Sequence, residues 1–225
     1  MATATVHINK LSAAKRQIQA AIRMFFQPED ELAVHTIAAA AYGLLKDIKK
    51  DRGMSEAADA HLTSIFYVVR DFRRGTLPMH MTEDPGFMAE VRRLADQLVP
   101  ITADSKLSDV KVSIGPALER QYWDESNRTA NFLKHADRDV DKSLSEESID
   151  NKMLLVKCFC AYQDVAPDDL GNEGLVLQAF ITTNNETYQF GDTSFDSLVR
   201  AMRKVPLERQ RDFCHHAILN LNASE

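Results

Sequence analysis

An arginine, an asparagine and a histidine stand at helical spacing in the segment 123–137. Arg128, Asn131 and His135 follow one another by three and four residues, so one face of a helix would carry all three side chains. Asp124, four residues before Arg128, extends the same face. A permanently charged guanidinium binds phosphate, and an imidazole accepts or donates a proton near neutral pH. These residue types are therefore a sufficient set for metal-free cleavage of RNA, in which a 2′-hydroxyl attacks the adjacent phosphodiester.

Each polar side chain of this segment has a role in that hypothesis. Arg128 would hold the scissile phosphate, His135 would act as acid and base, and Asn131 would orient them. Asp124 would hold Arg128 through an i, i+4 ion pair, and Lys134 is the second supporting residue. The alternative interpretation is a solvated or helix-bridging polar face, in which His135 caps a neighbouring helix.

Helical periodicity dominates the elements that must position these residues. Apolar residues recur at helical spacing over 9–27, 29–50 and 55–74, and Pro28 and Gly75 mark two of the helix ends. Further helices are predicted near 87–98, 117–136, 149–163 and 174–183, after Thr193 with a capping-box-like Asp196, and after Pro206. In the long helix 117–136, Thr129 falls on the apolar face.

Some segments have a weaker periodicity. Residues 76–86 contain two prolines and are predicted to be a loop, residues 101–116 are ambiguous, and the polar residues 137–150 are typical of a linker or an exposed loop. The apolar runs 153–162 and 175–181 are rich in β-forming residues, so a pair of strands is the alternative to helices there.

These patterns predict an all-α protein built as an antiparallel helical bundle with a helical C-terminal extension. The bundle is assigned to residues 1–139 and the extension, packed on it, to residues 140–225. Since the apolar stripe of each helix must be buried against another, one common core is expected for the bundle. Its predicted members are Leu11, Ile18, Ile22, Ile37, Leu44, Leu62, Phe66 and Phe132.

The charge of the chain restricts its partners. The 225 residues carry a formal net charge of −6 at pH 7, so RNA would need a local basic patch in order to bind. The most basic candidate surface is Arg70–Arg74 with Arg92 and Arg93. The N-terminus lacks the apolar core of a signal peptide and no run approaches about 18 apolar residues, so we expect a cytoplasmic protein with no membrane partner.

No cofactor and no metal site is predicted. Cys158 and Cys160 would point about 200° apart on a helix, so they and Cys214 are interpreted as buried free cysteines. The segment beginning at Asp137 imitates a calcium loop, but Lys142 stands where the loop needs glycine and Ser148 where it needs glutamate. Helical metal enzymes normally repeat a Glu-x-x-His pair, which is lacking here. A metal-dependent enzyme using His35, His61 and His135 is the least favoured alternative.

Arg128 and His135, with six residues between them, resemble the motif of the HEPN (higher eukaryotes and prokaryotes nucleotide-binding) superfamily, an Arg followed by four to six residues and a His. The string Asn131–Asp137 is similar to one in bacterial HEPN-like proteins, and the early helices resemble that family's first helical hairpin. The resemblance covers residues 9–139. It implies a small helical bundle, a homodimer that brings two motifs together, and a metal-independent ribonuclease with a regulatory or defence role.

A second class of function is a non-catalytic helical interaction module. In that interpretation the protein keeps the fold and uses the polar face around Arg128 at a dimer interface. Incubation of the purified protein with RNA in the presence of a chelator separates the two classes.

Overall fold

The computed structural model describes residues 7–54, 57–98, 100–106, 120, 124, 127–135, 137, 140–166, 170–183 and 188–223, with the backbone alone at 57–64 and 80. In chain order the α-helices are α1 (Lys10–Phe26), α2 (Glu31–Asp51), α3 (Ala57–Arg74), α4 (Met79–Thr82), α5 (Pro85–Gln97), α6 (Arg128–Lys134), α7 (Asn151–Val165), α8 (Gly171–Thr183), α9 (Ser194–Arg203) and α10 (Gln210–Asn222). Short 3-10 turns cover Glu146–Ser148 and Leu207–Arg209. The described residues include no strand, so the predicted all-α class is confirmed. The alternative strands over 153–162 and 175–181 are excluded, because α7 and α8 occupy them.

Most helix ends follow local signals in the sequence. Asp30 accepts hydrogen bonds from the backbone N–H groups of Leu32 and Ala33, and so satisfies two orphan donors at the start of α2. The predicted capping box is present, because Thr193 and Asp196 bond to each other's backbone N–H at the start of α9. Gly75, with φ 69°, follows α3 in the left-handed conformation that glycine adopts without strain.

One loop prediction needs correction. The segment 76–86 is not one loop, because α4 lies within it and α5 begins at Pro85 behind an Asp84 cap. The prediction failed because proline at the first turn of a helix was treated as a breaker, although its missing N–H costs nothing there. Within 137–150 the described residues form turns and the short 3-10 turn. Most of 101–119 lies outside the described residues.

The protein forms two compact units. The main body lies within Met1–Met54 and Asn127–Glu225, and the second unit within Ser55–Ser126. This division differs from the predicted boundary between residues 139 and 140. The reason is that α7, α8 and α10 pack directly on α1 and α2, so the C-terminal helices complete the first hairpin instead of covering a finished bundle.

The helices of the main body do not all alternate in direction. α1 and α2 form an antiparallel hairpin, whereas α2 and α7 run parallel, because Glu31 contacts Asn151 at their starts and Lys49 pairs with Asp164 at their ends. Edge-to-face contacts of Phe25 and Phe26 with a phenylalanine of α8 fill the space between α1 and α8. Large side chains that are buried there are Ile18, Ile22, Phe26, Leu45, Leu155, Leu170, Leu177 and Ile218.

The prediction of one common core is wrong for Phe66. That ring is buried in a separate cluster of the second unit, with Val69, Ala95 and Ile101. Ile18 and Ile22 are buried in the main body as predicted. Leu11, Ile37, Leu44 and Phe132 are half-buried, and the side chain of Leu62 lies outside the described residues. An apolar stripe shows that a helix face must be covered, but it does not name the element that covers it.

Candidate functional site

The predicted site lies on α6, a helix of seven residues in the main body. The predicted continuous helix over 117–136 is interrupted in front of it, because Asn127 stands at the N-cap position with φ −103° and ψ 2°. Asparagine favours such boundaries over helix interiors, since its amide competes for nearby backbone groups. Among the earlier positions of the predicted helix that the structure describes, Arg120 and Asp124 are helical.

One side of α6 is anchored and the other faces solvent. Thr129 is buried and Phe132 and Leu133 are half-buried, and the helix packs against α2. The prediction that Thr129 falls on the inward face is therefore confirmed. Arg128 and Asn131 are exposed on the remaining surface of the helix. The anchoring residues thus leave both polar side chains accessible to a ligand.

His135 ends this helix. Its backbone has φ −121° and ψ 69°, outside the helical range, and its N–H donates to the carbonyl of Asn131 at 3.0 Å. Its imidazole, with 37% of the side chain exposed, has Nδ1 4.0 Å from a carboxylate oxygen of Asp137. Because the backbone of His135 is not helical, helical periodicity does not determine where its imidazole points. The carboxylate of Asp137 beside that imidazole was also not predicted from the sequence. We call Arg128, Asn131 and His135 the α6 site.

The two supporting residues have different surroundings. Asp124 is exposed and belongs to the second unit, so its ion pair with Arg128 stays a prediction. Lys134 is exposed at the last position of α6, and its positive charge acts on His35 of α2. His35 is thereby linked electrostatically to the helix that carries the α6 site.

His35 belongs to a polar network between α2, α7 and α10. Its Nδ1 lies 3.1 Å from the side-chain oxygen of Asn151, and the amide nitrogen of Asn151 donates to the backbone carbonyl of Glu31 at 2.8 Å and to its carboxylate at 2.5 Å. The other carboxylate oxygen of Glu31 accepts from Arg211 at 3.0 Å. We call these four residues the interior network, in which His35 and Asn151 are buried.

The bonds of Asn151 determine the tautomer of His35. Both contacts of its amide nitrogen are with oxygen acceptors on Glu31, so the side-chain oxygen must be the atom that faces His35. That oxygen can only accept, and Nδ1 of His35 therefore carries the proton. Burial lowers the pKa of His35, the Asn151 bond raises it, and the charge of Lys134 lowers it further.

The other candidate sites of the sequence are accounted for within the described residues. No group of three or more His, Cys, Asp and Glu side chains among them is arranged to hold a metal. The cysteines are free, and burial raises the pKa of Cys158 and of Cys214 to about 12. Cys160 is exposed. The side chain of His61 lies outside the described residues.

The basic residues singled out in the second unit make internal contacts. Arg70 stacks on Tyr67 with its guanidinium carbon 4.7 Å from the ring centroid. Arg73 and Arg74 donate to backbone carbonyls, and Arg93 pairs with Glu90 on the same helix. Much of the hydrogen-bonding capacity of this predicted basic surface is therefore used within the unit.

Comparison with known proteins adds no relative: no family model, no curated protein and no solved structure matches the chain. The resemblance to the HEPN superfamily remains a prediction from the residues that carry it. In the part of the chain that the structure describes, no helix is long and apolar enough to cross a membrane.

Proposed function

We propose that the protein is a cytoplasmic HEPN-like ribonuclease that binds and cleaves RNA at the α6 site without a metal ion. The observation that carries the proposal is the arrangement of α6, whose buried Thr129 anchors the helix while Arg128 and Asn131 face solvent beside His135. The site thus combines a phosphate-binding cation with a group that exchanges protons.

The proposed reaction is a transesterification followed by release of the product. The neutral imidazole of His135 removes the proton of a 2′-hydroxyl, and the 2′ oxygen forms a bond to the adjacent phosphorus. The bond from phosphorus to the 5′ oxygen breaks, and the imidazolium returns the proton to that leaving oxygen. A 2′,3′-cyclic phosphate and a 5′-hydroxyl result. Arg128 neutralises the charge that develops on the phosphoryl oxygens.

The test compares the α6 site with matched residues elsewhere in the main body. His216 pairs with Asp212 on α10 at 3.5 Å, so it is an exposed histidine beside a carboxylate, as His135 is. His135→Ala should lower the rate of RNA cleavage in EDTA by about 100-fold or more, the usual contribution of a general acid or base. His216→Ala should leave the rate unchanged.

The arginine has its own control. Arg128→Ala should also abolish cleavage, whereas substitution of Arg16, an exposed arginine of α1, should not. Cleavage that persists equally in the site and control variants would show that it arises from a contaminant. If the wild-type protein cleaves no RNA above a buffer control, the ribonuclease proposal fails, and the non-catalytic interaction module takes its place.

A homodimer belongs to the same proposal, because HEPN-like proteins bring two motifs together across a two-fold axis. Light scattering over a dilution series at micromolar concentration should give about twice the chain mass of 25.3 kDa. A mass near that of one chain at every concentration would refute the dimer.

A further inference from the structure

The most concentrated positive charge of the chain lies outside the α6 site, where α9 ends. Residues 200–211 contain five cations and one carboxylate, a net charge of +4 within a chain of −6. All six charged residues are exposed: Arg200, Arg203, Lys204, Glu208, Arg209 and Arg211. We call the surface of Arg200, Arg203, Lys204 and Arg209 the α9 basic surface.

An aromatic ring holds two of its guanidinium groups. The guanidinium carbons of Arg200 and Arg203 lie 4.9 and 4.7 Å from the ring centroid of Phe190. Arg200 also donates to the carbonyl of Gly191 at 3.0 Å, and Arg203 donates to that of Thr183 at 3.2 Å. Arginines that are already held by stacking lose little conformational freedom when they bind a phosphate.

The nearest carboxylate within α9 is turned inward. Asp196 is buried and accepts hydrogen bonds from the hydroxyl of Tyr188 at 2.7 Å and from the backbone N–H groups of Gly191 and Thr193 at 3.1 and 3.0 Å. These bonds and the Thr193 hydroxyl hold the pKa of Asp196 well below its usual range, so its charge is fixed. The hydrogen bonds of Asp196 are therefore made with groups at the start of α9 and not with the exposed arginines.

A continuous series of contacts joins this surface to the α6 site. Arg203 reaches the end of α8, and Phe180, one turn earlier on that helix, packs on Phe25 of α1. Arg211 lies over the same Phe25 ring at 4.1 Å and pairs with Glu31 of the interior network. That network ends at His35, on which Lys134 of α6 acts. The contacts therefore connect the α9 basic surface to the start of α2, the helix on which α6 packs.

We infer that the α9 basic surface binds the sugar-phosphate backbone of a single-stranded RNA. A cationic groove beside an aromatic side chain is the arrangement that tracks a single strand without reading its sequence. Arginine suits phosphate better than lysine does, because its planar N–H groups match two phosphate oxygens. The inference rests on the proposed function for the choice of RNA as the polyanion, but it does not need the α6 site to be catalytic.

The experiment measures binding without cleavage. A fluorescently labelled 2′-O-methyl RNA strand, which lacks the attacking hydroxyl, is titrated with protein, and anisotropy is followed at several salt concentrations. The double variant Lys204→Glu with Arg209→Glu should weaken binding about tenfold or more. It should also lower the slope of log affinity against log salt by about 0.7 for each lost phosphate contact. The double variant Lys204→Gln with Arg209→Gln should also weaken binding, but by a smaller factor.

The matched control is the double variant Lys10→Glu with Arg16→Glu, which reverses the charge of two exposed cations of α1. Both double variants change the net charge equally, so the control should lose much less affinity than the α9 variant. Equal losses, or no binding by the wild type at about 50 mM salt, would overturn the inference. So would binding to vesicles of anionic lipid that depends on Lys204 and Arg209, without binding to RNA.

The result of this binding experiment can be distinguished from the result of the test for RNA cleavage. His135→Ala should bind the 2′-O-methyl strand as tightly as the wild type does, since the α9 basic surface is intact in that variant. If RNA is bound at this surface but never cleaved, the ribonuclease proposal fails while the inference stands.

Discussion

The interior network and the α6 site each contain an arginine, an asparagine and a histidine, but their asparagines lie in opposite environments. In the interior network the amide of Asn151 joins His35 to Glu31, and both Asn151 and His35 are buried, whereas Arg211 is exposed. In the α6 site Asn131 is exposed. A buried polar group that loses its partner keeps its desolvation cost, whereas an exposed one regains water. Burial therefore makes one set a structural constraint and leaves the other available for a ligand.

The largest effect on stability is expected for Asn151→Ala. The substitution leaves the buried Nδ1–H of His35 without its acceptor, at about 1–3 kcal/mol, and removes the donor that bonds the carbonyl and carboxylate of Glu31. We expect the free energy of unfolding, measured with urea, to fall by about 3 kcal/mol. Asn131→Ala is the matched control and should change it by less than about 0.5 kcal/mol. Similar losses for the two asparagines would contradict the contrast between interior and surface.

The next effect is a dependence of stability on pH. Because the pKa of His35 is lower in the folded protein than the unperturbed value of about 6.5, the unfolded chain binds the proton more readily. The stability contributed by neutral His35 is complete above that unfolded pKa and is lost as the pH falls below it. His35→Gln should flatten the decline in the melting temperature between about pH 6.5 and pH 5. His216→Gln should leave the decline in place, and a decline that survives His35→Gln would refute this assignment.

A smaller effect is expected from the charge of Lys134 on His35. Lys134→Gln removes a positive charge that lowers the pKa of His35, so this pKa should rise. The measurement is the imidazole chemical shift of His35 followed by NMR across the titration. The control is Lys204→Gln, at the end of α9, which should leave the midpoint unchanged. A midpoint that moves equally in both variants would mean that Lys134 has no specific effect.

The smallest effect on stability is expected for His135→Ala. The hydrogen bond that ends α6 is made by the backbone N–H of this residue, which alanine keeps, and the side chain is partly exposed beside Asp137. The free energy of unfolding should change by less than about 0.5 kcal/mol. A loss above about 1.5 kcal/mol would favour the alternative in which His135 is a structural cap, because surface substitutions rarely cost that much.

Local patterns in the chain were sufficient to predict most helices and several of their ends. Asp30 and Thr193 were predicted to begin helices, and Gly75 to end one, because a cap acts on backbone groups within a few residues. The same short range explains why Thr129 was correctly assigned to the inward face of α6. It also explains the error at Asn127, where one continuous helix was predicted and a new helix begins instead. Asparagine can lie within a helix or cap the start of one, and neighbouring residues alone do not decide between the two.

Which helices pack against one another is decided by contacts between residues far apart in the chain. His35 and Asn151 are separated by 116 residues, and nothing in the periodicity of either helix indicates that they meet. Phe66 shows the same limit, since its apolar stripe was recognised but its core was assigned to the wrong unit. Apolar and polar patterns identify the faces that need a partner, whereas the packing of the whole chain selects which partner each face obtains. For that reason the histidine predicted as catalytic was visible in the sequence, whereas the hydrogen-bond partner of the buried His35 was recognised only in the fold.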